Sequence, residues 1–222
     1  MSPNSNNESK KEAKPVRRDD LRLGSGVEPT KSLLADKRWI EELKNYREGR
    51  PTKYEQLLGP FFRDFAPYRA KLSPPYEEGE ILVIKGRVWS YDDKSPLAAT
   101  IDVWHTDSGG SYDNEVEVNS AGEQGFTNRA RVRCDENGYY EFETILPGAY
   151  KRGGVQHAAH IHFCVMYAGY VTCVTQLLFS DDKYLAQDPY RESSVVIDLT
   201  EVERNGRKYK EGFFPIVLTL EN

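Results

Sequence analysis

Residues 150–163 read YKRGGVQHAAHIHF and contain three of the four histidines of the chain. In a β-strand, side chains two positions apart point to the same face. His160 and His162 are therefore predicted to project together from one strand, while Ile161 and Phe163 face the opposite, apolar side. Imidazole is a suitable ligand for zinc, copper, iron and nickel. The alternating pair thus predicts half of a metal site.

Short β-branched and aromatic runs follow one another on both sides of this strand, from residue 79 onward. Turn-forming sequences such as SGG at 108–110 and ENG at 136–138 separate them. Strands at this spacing are typical of an antiparallel sandwich or barrel. We therefore predict a mainly β fold, an antiparallel β-sandwich. The predicted strands span residues 81–89, 98–105, 130–134, 139–144, 159–166, 171–179, 195–199 and 214–220.

The 222 residues divide by composition into three parts. Residues 1–30 are polar and charged, which predicts a disordered tail. Residues 31–78 combine apolar residues at helical spacing with Gly-Pro and Pro-Pro breaks, which predicts a short helical arm and a connector. Residues 79–222 form the predicted β-sandwich domain, which carries the candidate metal ligands.

Composition excludes several classes of function. The formal charge of −5 provides no basic surface for nucleic acid. The three cysteines form no C-x-x-C pair, which argues against a disulfide framework and against a thiolate zinc site. No signal peptide and no apolar run near 18 residues are seen, so no membrane association is expected. The expected location is the cytoplasm.

Four further features of the sequence occur in a fixed order along the chain. They are GPFF at 59–62, IDVWHTDSGGSYD at 101–113, DENGYYEFETILPGAY at 135–150, and AHIHF at 159–163 followed by TQLLF at 175–179. Each fragment alone is a weak signal. Together they resemble the motifs of the intradiol ring-cleavage dioxygenases, the family of enzymes that cleave catechol and protocatechuate. The resemblance covers roughly residues 59–180.

The resemblance implies four protein ligands for a non-haem Fe(III) ion, namely Tyr112, Tyr150, His160 and His162. A phenol has a free pKa near 10, but a trivalent cation favours its deprotonated form. Two phenolates offset two of the three charges of the ion and so favour ferric over ferrous iron. The implied reaction joins O2 to a small catecholic substrate and cleaves the ring between the two hydroxylated carbons, giving a muconate-type diacid. Tyr150 is implied to leave the ion when the substrate binds and to accept its proton as a general base.

The surroundings of these ligands hold further candidate catalytic residues. Gln176 matches the family amide near the open coordination face. His157 stands where the family usually carries arginine, and Ala158 replaces the proline that follows it. A protonated His157 could supply part of the missing positive charge. Arg152 or Arg129 could also fold into that position.

Other interpretations of these residues remain open at this point. His157, His160 and His162 could form a three-histidine zinc site with an open water position. The missing arginine could instead mean that the iron is kept while the reaction is changed, on a polyphenolic substrate. A β-sandwich binding module without catalysis is also compatible with the strand pattern, because fold does not dictate function. The resemblance further implies a homodimer, which the helical arm could support.

Two other groups of residues are predicted to be structural. Arg129, Arg131 and Arg133 alternate along a strand and so share one face, which is predicted to be solvated or salt-bridged. His105 is predicted to support the fold, because the matching family segment carries varied residues at that position.

Overall fold

The computed structural model describes residues 58–115 and 125–221. The predicted tail and most of the predicted helical arm lie outside these residues. In the described part of the chain, no helix is long and apolar enough to cross a membrane.

Secondary structure in the described ranges is almost entirely β. The strands are β1 (Ile81–Ser90), β2 (Thr100–His105), β3 (Arg129–Arg133), β4 (Tyr139–Ile145), β5 (Tyr150–Arg152), β6 (Val155–His157), β7 (His160–Met166), β8 (Cys173–Phe179), β9 (Val195–Ile197), β10 (Thr200–Arg204), β11 (Arg207–Phe213) and β12 (Ile216–Leu218). Short 3-10 turns lie at Asp113–Glu115, Leu185–Gln187 and Arg191–Ser193. All eight predicted strands are confirmed, while β5, β6, β10 and β11 were not predicted.

The strands form two five-stranded sheets and one separate hairpin, β5–β6. In the first sheet, β1 pairs with β4 on one side and with β11 and then β12 along its length, and β10 pairs with β11. The second sheet has the order β3-β2-β7-β8-β9. The predicted mainly β fold is confirmed. It is not wholly antiparallel, because β1 with β11, β1 with β12, and β8 with β9 pair in parallel.

One hydrophobic core fills the space between the two sheets. Leu82 and Ile84 of β1 enter it from the first sheet, and Ile161 and Phe163 of β7 enter it from the second. The ring of Phe163 lies 4.9 Å from that of Phe214, which precedes β12. Burying side chains of this size contributes about 1.5–3 kcal/mol each. This burial determines which face of β7 points away from the core.

The outer face of the second sheet carries a row of polar and aromatic side chains. Because Ile161 and Phe163 face the core, His162 points outward. Trp104 of β2 and Gln176 of β8 lie opposite His162 in the pairing register. Arg129 of β3 lies opposite Trp104 in turn. The row Arg129–Trp104–His162–Gln176 therefore crosses the sheet.

A second, smaller apolar cluster covers this row and is formed partly by the connector before β1 and the loop after β2. Its members are Phe61, Trp104, Tyr112, Cys164 and Val174, with Leu58, Phe62, Tyr150 and Met166 packed against them. The cluster shields the outer face of the sheet from water. The predicted connector thus contributes directly to the surroundings of the histidines.

Two loops, one leading to Tyr112 and the other to Tyr150, meet at Gly148. The carbonyl oxygen of Gly148 accepts a hydrogen bond from Oγ1 of Thr106 at 2.8 Å. A Cβ atom on Gly148 would lie 2.5 Å from the backbone nitrogen of Gly110. Only glycine permits this approach, which brings the two tyrosine-bearing loops together.

Candidate metal centre

Three of the four predicted ligands converge on one buried point. The hydroxyl oxygen of Tyr112 lies 3.1 Å from Nε2 of His162 and 3.4 Å from Nε2 of His160. The two Nε2 atoms lie 3.2 Å apart. Neighbouring ligands that each lie about 2.1 Å from one metal ion are about 3 Å apart. The triangle of donor atoms therefore has a size that suits a single ion.

Tyr150 lies beside this triangle at the start of β5. Its ring centroid is 5.7 Å from that of Tyr112 and 5.6 Å from that of His160. Burial raises the pKa of the Tyr150 phenol, and this outweighs a hydrogen bond with Tyr112 and the charge of Arg152, which both lower it. A bound multivalent cation would reverse this balance and favour the phenolate.

Burial keeps the two strand histidines in their neutral form. Burial lowers the pKa of His160, and it lowers that of His162 strongly, with further lowering by the neighbouring His160 and Arg129. Neutral imidazole is the form that binds a metal ion. Nδ1 of His160 donates to the carbonyl oxygen of Ala158 at 2.7 Å, which leaves the Nε2 lone pair facing Tyr112.

The hydrogen bonds within the triangle do not satisfy all of its atoms. The single hydroxyl proton of Tyr112 cannot serve the Nε2 atoms of both His160 and His162, whereas one cation can accept a lone pair from each. An Nε2 lone pair on His162 requires a proton on Nδ1, and Nδ1 is buried without a partner among the described residues. Oε1 of Gln176, directly opposite on β8, is likewise buried without a partner there and is an acceptor of the right kind. The donor set thus fits a metal ion.

A parallel stack orients one of the imidazole rings. The ring of Trp104 lies against that of His162 with a centroid separation of 4.8 Å and an interplanar angle of 3°. Both side chains are buried. The stack restricts rotation of the imidazole ring and so keeps its Nε2 directed at Tyr112. Sequence analysis did not identify this role, although Trp104 lies in the resembling motif.

A buried ion pair holds the backbone next to Tyr112. Asp113 pairs with Nε and Nη2 of Arg129 and accepts from Nη1 of Arg63 at 2.9 Å. Nη1 of Arg129 donates to the carbonyl oxygen of Phe61 at 2.8 Å. The Phe61 ring stacks on that of Tyr112 at 4.0 Å. Arg129 is therefore engaged on this side of Tyr112 and does not take the place of the family arginine.

His157 lies beside Tyr150 on the β5–β6 hairpin. Its ring centroid is 4.9 Å from that of Tyr150 and 5.9 Å from that of Tyr190, against which it stacks. Its Nδ1 is 3.9 Å from Oδ2 of Asp188. The residue at the family arginine position is thus next to the candidate centre and has a carboxylate close by.

Arg152 lies on the same hairpin, two residues after Tyr150. The carbon of its guanidinium group is 4.4 Å from the centroid of the Phe61 ring. Its positive charge lowers the pKa of Tyr150. Arg152 is therefore positioned over the aromatic cluster, where it stabilises negative charge on the phenol.

The three-histidine zinc arrangement is not favoured by the geometry. Among the residues that the structure describes, no group of three His, Cys, Asp or Glu side chains could hold a metal ion. His157, His160 and His162 therefore do not form such a group. The remaining histidine, His105, is buried and bonds Thr106 and Thr144, which agrees with its predicted structural role.

Sequence analysis missed two aspartates near the start of β7. Oδ1 of Asp182 accepts from the backbone N–H of Tyr184 at 2.7 Å, and Oδ1 of Asp188 accepts from that of Tyr190 at 2.8 Å. A repeated Asp-x-Tyr pattern, DKY at 182–184 and DPY at 188–190, signals these turns. The second oxygen of each carboxylate reaches the segment that precedes His160.

Comparison with known proteins agrees with this arrangement. A family model described as a dioxygenase matches residues 59–220. The β chain of protocatechuate 3,4-dioxygenase from Burkholderia cepacia is 35% identical over 138 residues, which cover 60% of this chain and 57% of that protein. Catechol 1,2-dioxygenase 2 from Acinetobacter lwoffii is 30% identical over 185 residues, which cover 76% of this chain and 64% of that protein.

A solved structure agrees with the fold over nearly the whole of its own length. The dioxygenase domain of a dioxygenase and carbohydrate-binding fusion from Streptomyces sp. SirexAA-E matches with a TM-score of 0.60 at 25% identity, covering 73% of this chain and 95% of that one. The chain therefore belongs to the intradiol ring-cleavage dioxygenase family. Members of this family generally depend on non-haem iron. The chain spans between half and two thirds of the length of the two curated relatives described above.

Proposed function

We propose that this chain is an Fe(III)-dependent intradiol dioxygenase that cleaves a catechol-type ring between its two hydroxylated carbons. The observation that carries the proposal is the triangle formed by the Tyr112 hydroxyl oxygen and the Nε2 atoms of His160 and His162, with edges of 3.1–3.4 Å. Tyr150 lies beside it. The relatives named for protocatechuate and catechol support an aromatic substrate with adjacent hydroxyl groups.

Tyr112, Tyr150, His160 and His162 are the residues that would hold the iron. Two phenolate oxygens and two neutral imidazoles offset two of the three ferric charges and leave room for a two-oxygen substrate. Iron held by these residues would supply radical character to the ring carbons of a bound catechol, which is the chemistry that reaction with O2 requires. The small apolar cluster around Phe61 would exclude water from the reacting atoms.

Tyr150 is the residue that we propose accepts a substrate proton. It is only partly buried, whereas Tyr112 and both strand histidines are almost completely buried. It also belongs to a hairpin outside both main sheets. Burial raises its pKa, so its phenolate is a stronger base than an exposed one. His157, whose ring is 4.9 Å from that of Tyr150, is the next group able to receive the proton.

Gln176 and Arg152 have separate roles in this proposal. Gln176 would accept a hydrogen bond from Nδ1 of His162, since both atoms are buried and lie at opposite register positions. Arg152 would stabilise negative charge that develops beside Tyr150, in place of the family arginine.

Spectroscopy of the iron-loaded protein tests the assignment directly. We expect a wine-red protein, because tyrosinate-to-Fe(III) charge transfer absorbs visible light, and a band that shifts when catechol is added. Tyr112→Phe should weaken iron binding by more than the roughly 10–100-fold loss that outer-shell changes cause. Tyr139→Phe, on β4 and outside the centre, is the matched control and should keep iron and colour. A colourless wild-type protein with full iron content would refute the ligand assignment.

Product analysis under 18O2 separates ring cleavage from other chemistry. Cleavage of a catechol should place both oxygen atoms of one O2 molecule in the diacid.

His157 in place of arginine favours a second candidate function, an altered reaction on a polyphenolic substrate. A product with fewer labelled oxygen atoms would support this alternative. Failure to retain iron and to consume O2 with any catechol would indicate a non-catalytic binding module.

The assembly state is a separate proposal. The resemblance implies a homodimer, and the segment predicted to support it lies mostly outside the described residues. Light scattering of the full chain should give twice the mass of one chain, and a mass equal to one chain would refute the dimer.

A further inference from the structure

Two carboxylates accept hydrogen bonds from the backbone just before His160. Oδ2 of Asp188 accepts from the N–H of Ala158 at 2.7 Å, and Oδ2 of Asp182 accepts from the N–H of Ala159 at 3.0 Å. Each carboxylate is held by a turn in its own loop through its other oxygen. These hydrogen bonds attach the loop after β8 to the two residues that precede β7.

The peptide group that donates a hydrogen bond to Asp182 also accepts one from the His160 side chain. The N–H of Ala159 and the C=O of Ala158 are the two ends of one peptide unit. The carbonyl oxygen accepts from Nδ1 of His160 at 2.7 Å. Hydrogen bonds in a chain polarise one another, so the carboxylate makes this carbonyl a stronger acceptor for the imidazole proton.

Asp188 accepts a hydrogen bond from the preceding peptide group, whose carbonyl oxygen is not bonded to a proposed ligand. The carbonyl of that peptide belongs to His157 and accepts from the side-chain amide of Gln156 at 3.1 Å. The bond exists because Ala158 has an N–H group, which the proline of the family motif would lack. Two similar carboxylate–backbone hydrogen bonds thus lie one peptide apart. Only the one to Asp182 involves a peptide group that is itself hydrogen-bonded to a proposed ligand.

We propose that Asp182 is a positioning residue for His160 and acts through the Ala158–Ala159 peptide. It holds the proton on Nδ1, sets the orientation of the ring and makes Nε2 a better metal ligand, as a carboxylate bonded directly to a histidine does. This inference rests on the proposed function, since it takes His160 as an iron ligand.

The test compares Asp182→Asn with Asp188→Asn. Asparagine has one carbonyl oxygen and no charge, so in either position it can serve only one of the two backbone N–H groups that the aspartate serves. We expect D182N to bind ferric iron about 10-fold more weakly in competition with a chelator and to shift the visible band. D188N should lose less affinity and shift the band less than D182N, because the peptide group that donates to Asp188 makes no hydrogen bond to a proposed ligand.

A second measurement uses the iron-free protein and 15N-labelled histidine. In D182N the NMR signal of the His160 Nδ1 proton should move upfield because its acceptor is weaker, and in D188N it should move less. Asp182→Ser, which shortens the side chain and removes the carboxylate, should show the same direction and serves if D182N does not fold.

The outcomes separate this inference from the proposed function. Equal effects of D182N and D188N on iron affinity and on the His160 proton would overturn it, because loss of either bond would then act only by loosening the loop. An unshifted proton in the serine variant would overturn it as well. If the wild type binds no iron, the proposed function fails, and the proton signal of the iron-free protein still decides whether Asp182 acts on His160.

Discussion

Arg129 of β3 forms an ion pair next to the candidate metal centre. It is only 2% exposed, and it pairs with Asp113, the residue that follows Tyr112. Arg131, two positions along the same strand, pairs with Asp102, but its side chain is 24% exposed. The sequence predicted that these arginines share a salt-bridged or solvated face. It could not predict which one is sealed from water, because segments distant along the chain cover only one of them.

Arg129→Gln should lower the free energy of unfolding by about 1–3 kcal/mol, because Asp113 loses a buried charged partner but keeps its ion pair with Arg63. Arg131→Gln is the comparison and should cost about 3–5 kcal/mol, because Asp102 is buried and Arg131 is its only ion-pair partner among the described residues. Urea unfolding of the two iron-free variants measures the difference. Losses of equal size would show that the second arginine beside Asp113 does not reduce the cost of breaking its ion pair.

Among the structural elements, the β5–β6 hairpin and the β10–β11 pair were the ones that sequence analysis missed. Both are rich in charged residues and mostly exposed or only partly buried. β11 is held by pairing with β1, more than a hundred residues earlier in the chain. Strand propensity depends strongly on such partners, and a local pattern does not contain them. β7, by contrast, was predicted because burial on one face imposes a regular alternation.

The contact between the two tyrosine-bearing loops gives a prediction at this scale. Gly148→Ala should force the loops apart at Gly110, because its Cβ would lie 2.5 Å from a backbone nitrogen. We expect a loss of about 1–3 kcal/mol in stability, together with weaker iron binding and a changed visible spectrum.

Gly138→Ala is the control for this loop variant. Gly138 has a φ of +73° in the turn between β3 and β4, and a Cβ atom there would clash with the carbonyl of Val88. Its replacement should destabilise the fold while leaving the spectrum of the iron-loaded protein unchanged. A normal spectrum in G148A would show that the loop contact does not position the tyrosines.

At the scale of the whole molecule, the proposed ion would connect three parts of the chain, and the loop that carries Tyr112 is distant in sequence from the other two. Tyr112 comes from the loop after β2, Tyr150 from the hairpin, and the histidines from β7. Binding of iron to the folded state alone should therefore stabilise the entire described domain.

This linkage can be measured by thermal and urea unfolding. With free iron at 100 times its dissociation constant, supplied from a citrate buffer, the free energy of unfolding should rise by about 2.7 kcal/mol. The Tyr112→Phe variant should show little of this increase, and Tyr139→Phe should show all of it. An equal increase in both variants would place the stabilising iron at some other site.

The sequence by itself determined the mainly β fold, the outward direction of His160 and His162, and the family to which the chain belongs. These follow from local alternation and from the order of motifs, which need no knowledge of distant contacts. Only the tertiary structure decided that the Tyr112 hydroxyl lies 3.1 Å from a histidine 50 residues away, that β1 pairs in parallel with β11 and β12, and that Asp182 reaches the peptide before His160. Such distances depend on how two sheets and their covering loops pack together, and that packing is a property of the whole chain.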